Sequence, residues 1–368
     1  MVQGRAPGVK IHKDAFVVRQ EDSLDFATLF LGFFEDKEFF VLIHDANEAK
    51  QNTFLQAHTS YFRAVKSFFD NGGRALYLLN YPPKKGFDAA LIARFLEDHC
   101  DNLNDLETLC PVGLIEGLLS QKKISEQEAL QALFAMNTYA AQTDRISMSD
   151  INEEIRHNYL DMLGETVIYH PWFKDKDGAL IPPSSVVAGI ASRLAFEGKF
   201  FHSSANKSVH NLQKLSYELS KTDLEELHQE QINPIIYRHI QGLRVWGVKV
   251  FNSHHESVNE MRVLKYIKRQ LKRLSRPYLF EGNTEQLHDK LFTKVSHFLT
   301  LLWESGALAG HSAQEAFEVN TSILSLDNTR TSLVVEVSVA ISKPLEFIVI
   351  RLNRVENNGA QESLSVES

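Results

Sequence analysis

Apolar and polar positions divide the chain into short strands and amphipathic helices in mixed order. Leu243 to Phe251 is apolar on both alternating sets and rich in β-branched and aromatic residues, which predicts a largely buried strand. Arg262 to Arg276 places Val263, Leu264, Ile267, Leu271 and Leu274 at helical spacing. Arg262, Lys265, Lys268, Arg269, Lys272, Arg273 and Arg276 fill the rest of that cylinder with no acid among them. A third element has Asn283 as N-cap, Gln286 at N3 and Gly306 just past its end. Leu287, Leu291, Val295, Phe298, Leu299 and Leu302 run down one face, so it reads as a core helix.

The preceding chain follows the same logic. Val9 and Ile11 alternate with polar neighbours as in a strand that buries one face. The phenylalanine-rich run from Asp25 to Ile43 reads as strands meeting a core. A helix over 52–71 stops at Asn71-Gly72-Gly73, and a strand from Arg74 to Asn80 follows directly. Tyr81 to Gly86 reads as a linker. Helices are expected at Phe87 to Glu97, Ile124 to Ala141 and Ile151 to Leu163, with Asp101 to Glu107 polar and apolar strands only weakly marked between 82 and 160. A strand from Val167 ends in a proline turn near Pro171. After it, Pro182-Pro183 forbids helix, Ser184 is placed to cap, and Ala188, Gly189 and Ala191 form a thin helix face that another element can approach. Strands at Ser332 to Ile341 and Phe347 to Leu352 flank a corner at Pro344. Residues 357–368 are polar and aperiodic, which predicts disorder.

Composition narrows the class. At 368 residues and 43% apolar, the chain has ample core for one large or two ordinary domains. A net charge of −8 argues against a nucleic-acid binder, which would carry a basic footprint overall. It makes the acid-free basic helix stand out. The N-terminus lacks the apolar core of a signal peptide, and no stretch approaches the roughly 20 apolar residues of a membrane span, so cytoplasmic synthesis is expected. Cys100 and Cys110 read as two free thiols.

Candidate chemistry is sparse. His254-His255-Glu256, joined in space by His297 or His311, would supply metal ligands, but the i, i+4 pairing of a metallohydrolase helix is missing and a solvated loop is the simpler reading. There is no Gly-x-Ser-x-Gly elbow and no Cys-x-x-Cys. Asp223 to Glu226 is an acidic first helical turn. Gly72-Gly73 lacks the Lys-Ser/Thr of a phosphate loop.

Several stretches together resemble one family, the sheath proteins of contractile tails. Val245-Trp246-Gly247-Val248 resembles its VWGA-type strand, and Val263-Leu264-Lys265-Tyr266-Ile267 a YINVRR-type helix start. Tyr278-Leu279-Phe280-Glu281-Gly282-Asn283 is similar to a WVVFEPN turn. Leu302-Trp303-Glu304-Ser305-Gly306-Ala307-Leu308 is similar to LWR-x-GAL, with Ala316-Phe317-Glu318-Val319 behind it. Pro7-Gly8-Val9, Phe68-Phe69-Asp70-Asn71-Gly72-Gly73, Tyr169-His170-Pro171-Trp172 and Pro182-Pro183-Ser184-Ser185 extend the resemblance toward the N-terminus. Gly198 to Asn206 departs from the family's GVWKAPAN segment, lacking its tryptophan and proline.

The resemblance implies a mixed α/β (α+β) fold, a sheath-type domain with a mixed sheet flanked by helices and with extended N- and C-terminal arms. It is laid out as an arm over 1–20, an α/β and helical region over 21–160, a sheath domain over 161–342, and an arm strand and tail over 343–368. It implies a structural subunit, not an enzyme, without cofactor or metal. The subunit would assemble in stacked hexameric rings around an inner tube and contract to drive the tube through a target membrane. Partners would be further copies, the tube, baseplate and terminator, with no nucleic acid and no membrane insertion. The location would be the bacterial cytoplasm and then a virion tail or released particle. Arm strands carrying Val9, Ile11, Phe347, Val349 and Arg351 would complete a neighbour's sheet, and Lys265, Lys268, Arg269 and Lys272 would face the tube. The alternatives are a sheath-like terminator or baseplate adaptor and a metal-dependent hydrolase.

Overall fold

The structure, a computed structural model, describes residues 25–34, 37–212, 214–278, 285–327, 330–341, 349–353 and 363–367. Val9, Ile11, Asn283, Pro344 and Phe347 lie outside them. In chain order, β1 (Ala27–Gly32) and β2 (Phe39–Ile43) precede α1 (Ala46–Gln51), α2 (Thr53–Ala57) and α3 (Thr59–Asp70). Then come β3 (Leu76–Asn80), α4 (Ala89–Cys100), β4 (Leu106–Val112), α5 (Glu126–Gln142), β5 (Ile146–Ser149), α6 (Glu153–Asn158) and β6 (Val167–His170). The short β7 (Phe173–Lys174) and β8 (Leu180–Ile181) lead to α7 (Pro183–Phe196) and β9 (Lys214–Leu215), followed by α8 (Lys221–Gln229), β10 (Asn233–Arg238) and β11 (Gly242–Val245).

Eight of these strands form one sheet in the order β11-β10-β6-β5-β4-β1-β3-β2. Pairing is parallel from β10 across to β3 and antiparallel at the two outer strands. Such a sheet is covered on both faces, so its central strands bury side chains both ways. Leu29 and Leu31 of β1 pack with Ile92, Leu96, Leu133 and Met136 of α4 and α5. Phe30, between them, joins Val65, Phe68, Val187 and Ile190 of α3 and α7 on the other face. The glycine in the thin face of α7 has the expected use: a Cβ at Gly189 would lie 2.3 Å from the Phe68 carbonyl oxygen, so α3 and α7 meet backbone to backbone.

Several expectations are corrected here. The stretch 101–107 and its neighbours hide β4, a central strand buried along its whole length, and β5 beside it. Glu107, Thr108 and Pro111 in one and Ser147 and Ser149 in the other break the apolar run; Glu107 is satisfied by Arg262, the Ser147 hydroxyl by the Glu165 carbonyl and the Ser149 hydroxyl by Asn137, all remote in sequence. A boundary at 160/161 would cut this sheet, since β5 pairs with β6. The strand expected through Phe251 ends at Val245. There Gly247 adopts φ +139°, and the Asn233 amide takes over the ladder's role, donating to the carbonyls of Ile168 and Lys249 and accepting from the Lys249 N–H. Pro182-Pro183 starts α7 instead of forbidding it, with Pro183 in the first turn where no N–H is needed.

The remaining chain packs below this sheet as α9 (Val258–Ser275), α10 (Glu285–Glu304), α11 (Ala313–Ala316), β12 (Phe317–Asp327) and β13 (Arg330–Val339). Leu287, Leu291, Val295, Leu299 and Leu302 of α10 are buried, the face read from the sequence. A third apolar cluster joins Val263 and Ile267 of α9 to Val295, Leu299 and Val319. β12 and β13 form a sheet of their own. β14 (Val349–Asn353) pairs antiparallel with β15 (Ser363–Glu367), so part of the tail expected to be disordered is a strand.

Candidate functional site

Asp25, Glu107, Asp144 and Glu165 lie at or just before the amino ends of β1, β4, β5 and β6, which are neighbours in the sheet in the order β6-β5-β4-β1. The basic helix α9 is laid across that edge. The Arg262 guanidinium donates through Nε and Nη2 to the two oxygens of Glu107, at 2.8 and 2.6 Å, and both side chains are about 95% or more buried. Lys265 Nζ donates to Glu165 Oε1 at 2.5 Å and to the Arg145 carbonyl at 2.9 Å. Arg269 donates to the Asp144 carbonyl at 2.6 Å and stands 3.8 Å from Glu107. Lys272 meets the Asp144 carboxylate at 2.5 Å, Lys268 lies 3.9 Å from it, and Arg273 pairs with Asp25 at 2.9 Å. A cavity with room for about one water molecule lies beside Arg262, bounded by Thr108, Met148 and Tyr169.

This geometry revises the four cations named for a tube face. Lys265 is 5% exposed and the Arg269 side chain 11%, so both are spent inside the molecule. Lys268 and Lys272 keep 56% and 69% of their side chains in water. Burial pulls Lys265 below the usual lysine range against its bond to Glu165, and it pulls Arg269 down against the charge of Glu107. No sequence signal near α9 announced the four acids, which come from 100 to 248 positions away.

The opposite edge of the sheet, where open α/β folds hold ligands, is filled from within. The Phe34 ring occupies the place a Cβ of Gly113 would need, 2.2 Å away, and stacks on Tyr61 at 4.6 Å. Asp150, just after β5, caps α7: its carboxylate accepts from the Ser184 N–H at 2.9 Å and from the Ser184 hydroxyl at 2.5 Å. The helix N-terminus that could receive a phosphate is thus closed by the chain's own acid, and Ser184, expected as the cap, is the capped residue. Burial pushes the Asp150 carboxyl up to about 8, opposed by those two bonds. Cys100 and Cys110 are free and buried, and burial pushes the Cys100 thiol up to about 12, far from a nucleophile's range.

Among the remaining titratable groups, His170 Nε2 meets Glu153 at 3.1 Å and the Tyr217 hydroxyl, while Arg156 is fixed by Glu230 at 2.7 Å. These contacts lock α6 and the chain before α8 onto β6. The side-chain bond from His170, with the hydrogen bond from the Tyr217 hydroxyl and the charge of Arg156 behind it, holds Glu153 at about 2 against burial. The histidine loop is only half solvated: His254 is exposed, whereas His255 is buried beside Glu165, with neither His297 nor His311 in that group.

Residues 252–354 match the family model for the phage tail sheath C-terminal domain. No curated protein matches the chain. Among solved structures, a chain of the anti-feeding prophage baseplate aligns with a TM-score of 0.74 at 20% identity, over 96% of this chain and 100% of that one. A chain of the contracted PVC sheath complex, an extracellular contractile injection system, aligns at 0.69 and 19% identity over 97% and 99%. The sheath tail protein of Desulfitobacterium hafniense aligns at 0.56 and 9% identity over 85% and 96%. The chain therefore has the fold of contractile sheath proteins, and its residues 252–354 are similar to the phage tail sheath C-terminal domain.

Proposed function

We propose that the protein is a non-catalytic sheath subunit of a contractile particle, assembling with further copies around an inner tube and sliding to a shorter lattice to drive that tube through a target membrane. The observation that carries this reading is the agreement over nearly the full length of both chains with sheath-type structures, together with the sheath C-terminal domain match. The filled crevice and self-capped helix fit a protein without a small-molecule substrate. A body in which sheet and α9 are tied by buried ion pairs fits a subunit that moves as a rigid unit while its terminal strands keep neighbours connected.

The fold offers a candidate receptor for the arms. β12 and β13 stand as a two-stranded sheet with long outer edges, apart from the Leu308–Ile341 bridge, and unpaired edges are templates for strand addition. Val9 and Ile11, and Phe347, Val349 and Arg351, are the strands proposed to fill them in a neighbour. Val349 and Arg351 sit in β14, which here pairs with β15 of the same chain, so exchange would replace that pairing. Lys268 and Lys272, exposed on α9, are the remaining candidates for contact with the tube. Assembly is proposed to begin in the bacterial cytoplasm, with baseplate and terminator at the two ends. Negative-stain electron microscopy of the purified protein tests the reading: long striated tubes are expected. Rings without tubes would favour the terminator or adaptor, and a monomer at every concentration would overturn it.

A further inference from the structure

The loop before α9 brings two imidazoles to a carboxylate. One ligand atom from each of Glu165, His254 and His255 lies within 4.8 Å of the others, and the two rings are tilted at 39° with centroids 4.1 Å apart. His255 is 7% exposed, and its Nδ1 is hidden from water with no hydrogen-bond partner in the chain. A buried ring nitrogen left so is open to an ion or an ordered water. Glu260, in the first turn of α9, is near enough to act on His255 electrostatically and adds negative charge.

We propose that Glu165, His254 and His255 form a site for one divalent transition-metal ion of the zinc class. Two neutral imidazoles and one carboxylate suit Zn²⁺, Co²⁺ or Ni²⁺, whereas Ca²⁺ and Mg²⁺ prefer an all-oxygen shell. The opposing charge is Lys265, whose ammonium is on Glu165 Oε1. Oε2 accepts the Ser253 hydroxyl at 2.6 Å, so an ion entering from the exposed His254 side displaces a neutral donor and leaves the Lys265 pair standing. The ion ties the loop at 253–255 to Glu165, two residues before Val167, clamping the start of α9 to the sheet. This holds whether or not the protein is a sheath subunit.

The test is titration of the full-length protein with Zn²⁺ by calorimetry, with Co²⁺ absorption reporting the coordination. One equivalent should bind wild type and raise its Tm. His254→Ala, an exposed change that leaves the packing intact, should weaken binding at least tenfold and abolish the Tm rise, and His255→Gln should do the same. Failure of wild type to bind one equivalent, or binding unchanged in His254→Ala, overturns the site.

Discussion

Asp150 is the residue where burial and chemistry pull hardest against each other. Its carboxyl is 1% exposed and pushed up to about 8, while an unfolded aspartate titrates near 3.9. The folded state therefore holds this proton more tightly than the unfolded state. The group's contribution is most favourable below about pH 4 and declines as pH rises toward 8, because the unfolded chain sheds the proton first. Asp150→Asn cannot titrate, so its urea midpoint relative to wild type should climb between pH 4 and pH 8. A constant difference across that range would mean the site is ionised throughout. Glu107 and Arg262 are the contrasting case. Two buried charges satisfy each other with two hydrogen bonds, an arrangement in which losing either partner costs more than the pair contributes.

Among elements, α9 changes most between sequence and structure. Its apolar stripe was legible, and Val263 and Ile267 are buried as the spacing required. Its charge was legible only in part, because a cation's partner has no periodicity and here comes from strand ends far along the chain. Six of the seven basic residues stand within 4 Å of Glu107, Glu165, Asp144 or Asp25. Only the outer ones remain for a partner. Since exposed pairs contribute about 0.2–1 kcal/mol each, reversing Lys268 and Lys272 to glutamate should lower stability by no more than about 2 kcal/mol. The same double variant should lose co-sedimentation with the inner tube at low salt. Retained loading at low and moderate salt would make this surface ordinary solvated charge. Arg269 belongs in no such test, because glutamate there would meet Glu107 and Asp144 inside the protein.

At the scale of the whole molecule, the sheet and its helices form one body from β1 to β11, and the part matching the sheath C-terminal domain begins at residue 252, right after the Thr166–Phe251 bridge. At the C-terminal end, β14 and β15 form a separate two-stranded sheet. If the terminal arms link neighbours, removing residues 1–18, or everything after Lys343, should leave a soluble chain with an unchanged thermal transition that forms no tubes under the electron microscope. Tubes of normal length from either truncation would show that the linkage lies elsewhere.

The sequence alone determined the helices with a continuous apolar face and the turns that end them. The burial of Leu287, Leu291 and Val295, the close approach at Gly189 and the stop at Asn71-Gly72-Gly73 all follow from spacing and from backbone restrictions local to a few residues. It also carried the family resemblance, through motifs at both ends of the matched fold. Only the tertiary structure decided which polar residues are interior. Glu107 in a central strand, Lys265 and Arg269 on a charged helix and Asp150 at a helix N-terminus read as surface in any local window. Each is drawn inside because a partner 34 to 162 positions away offers the opposite charge or a hydrogen bond. Such pairings depend on how strands are ordered in the sheet, and β4 and β5 take their places at its centre through contacts that no periodicity within them records.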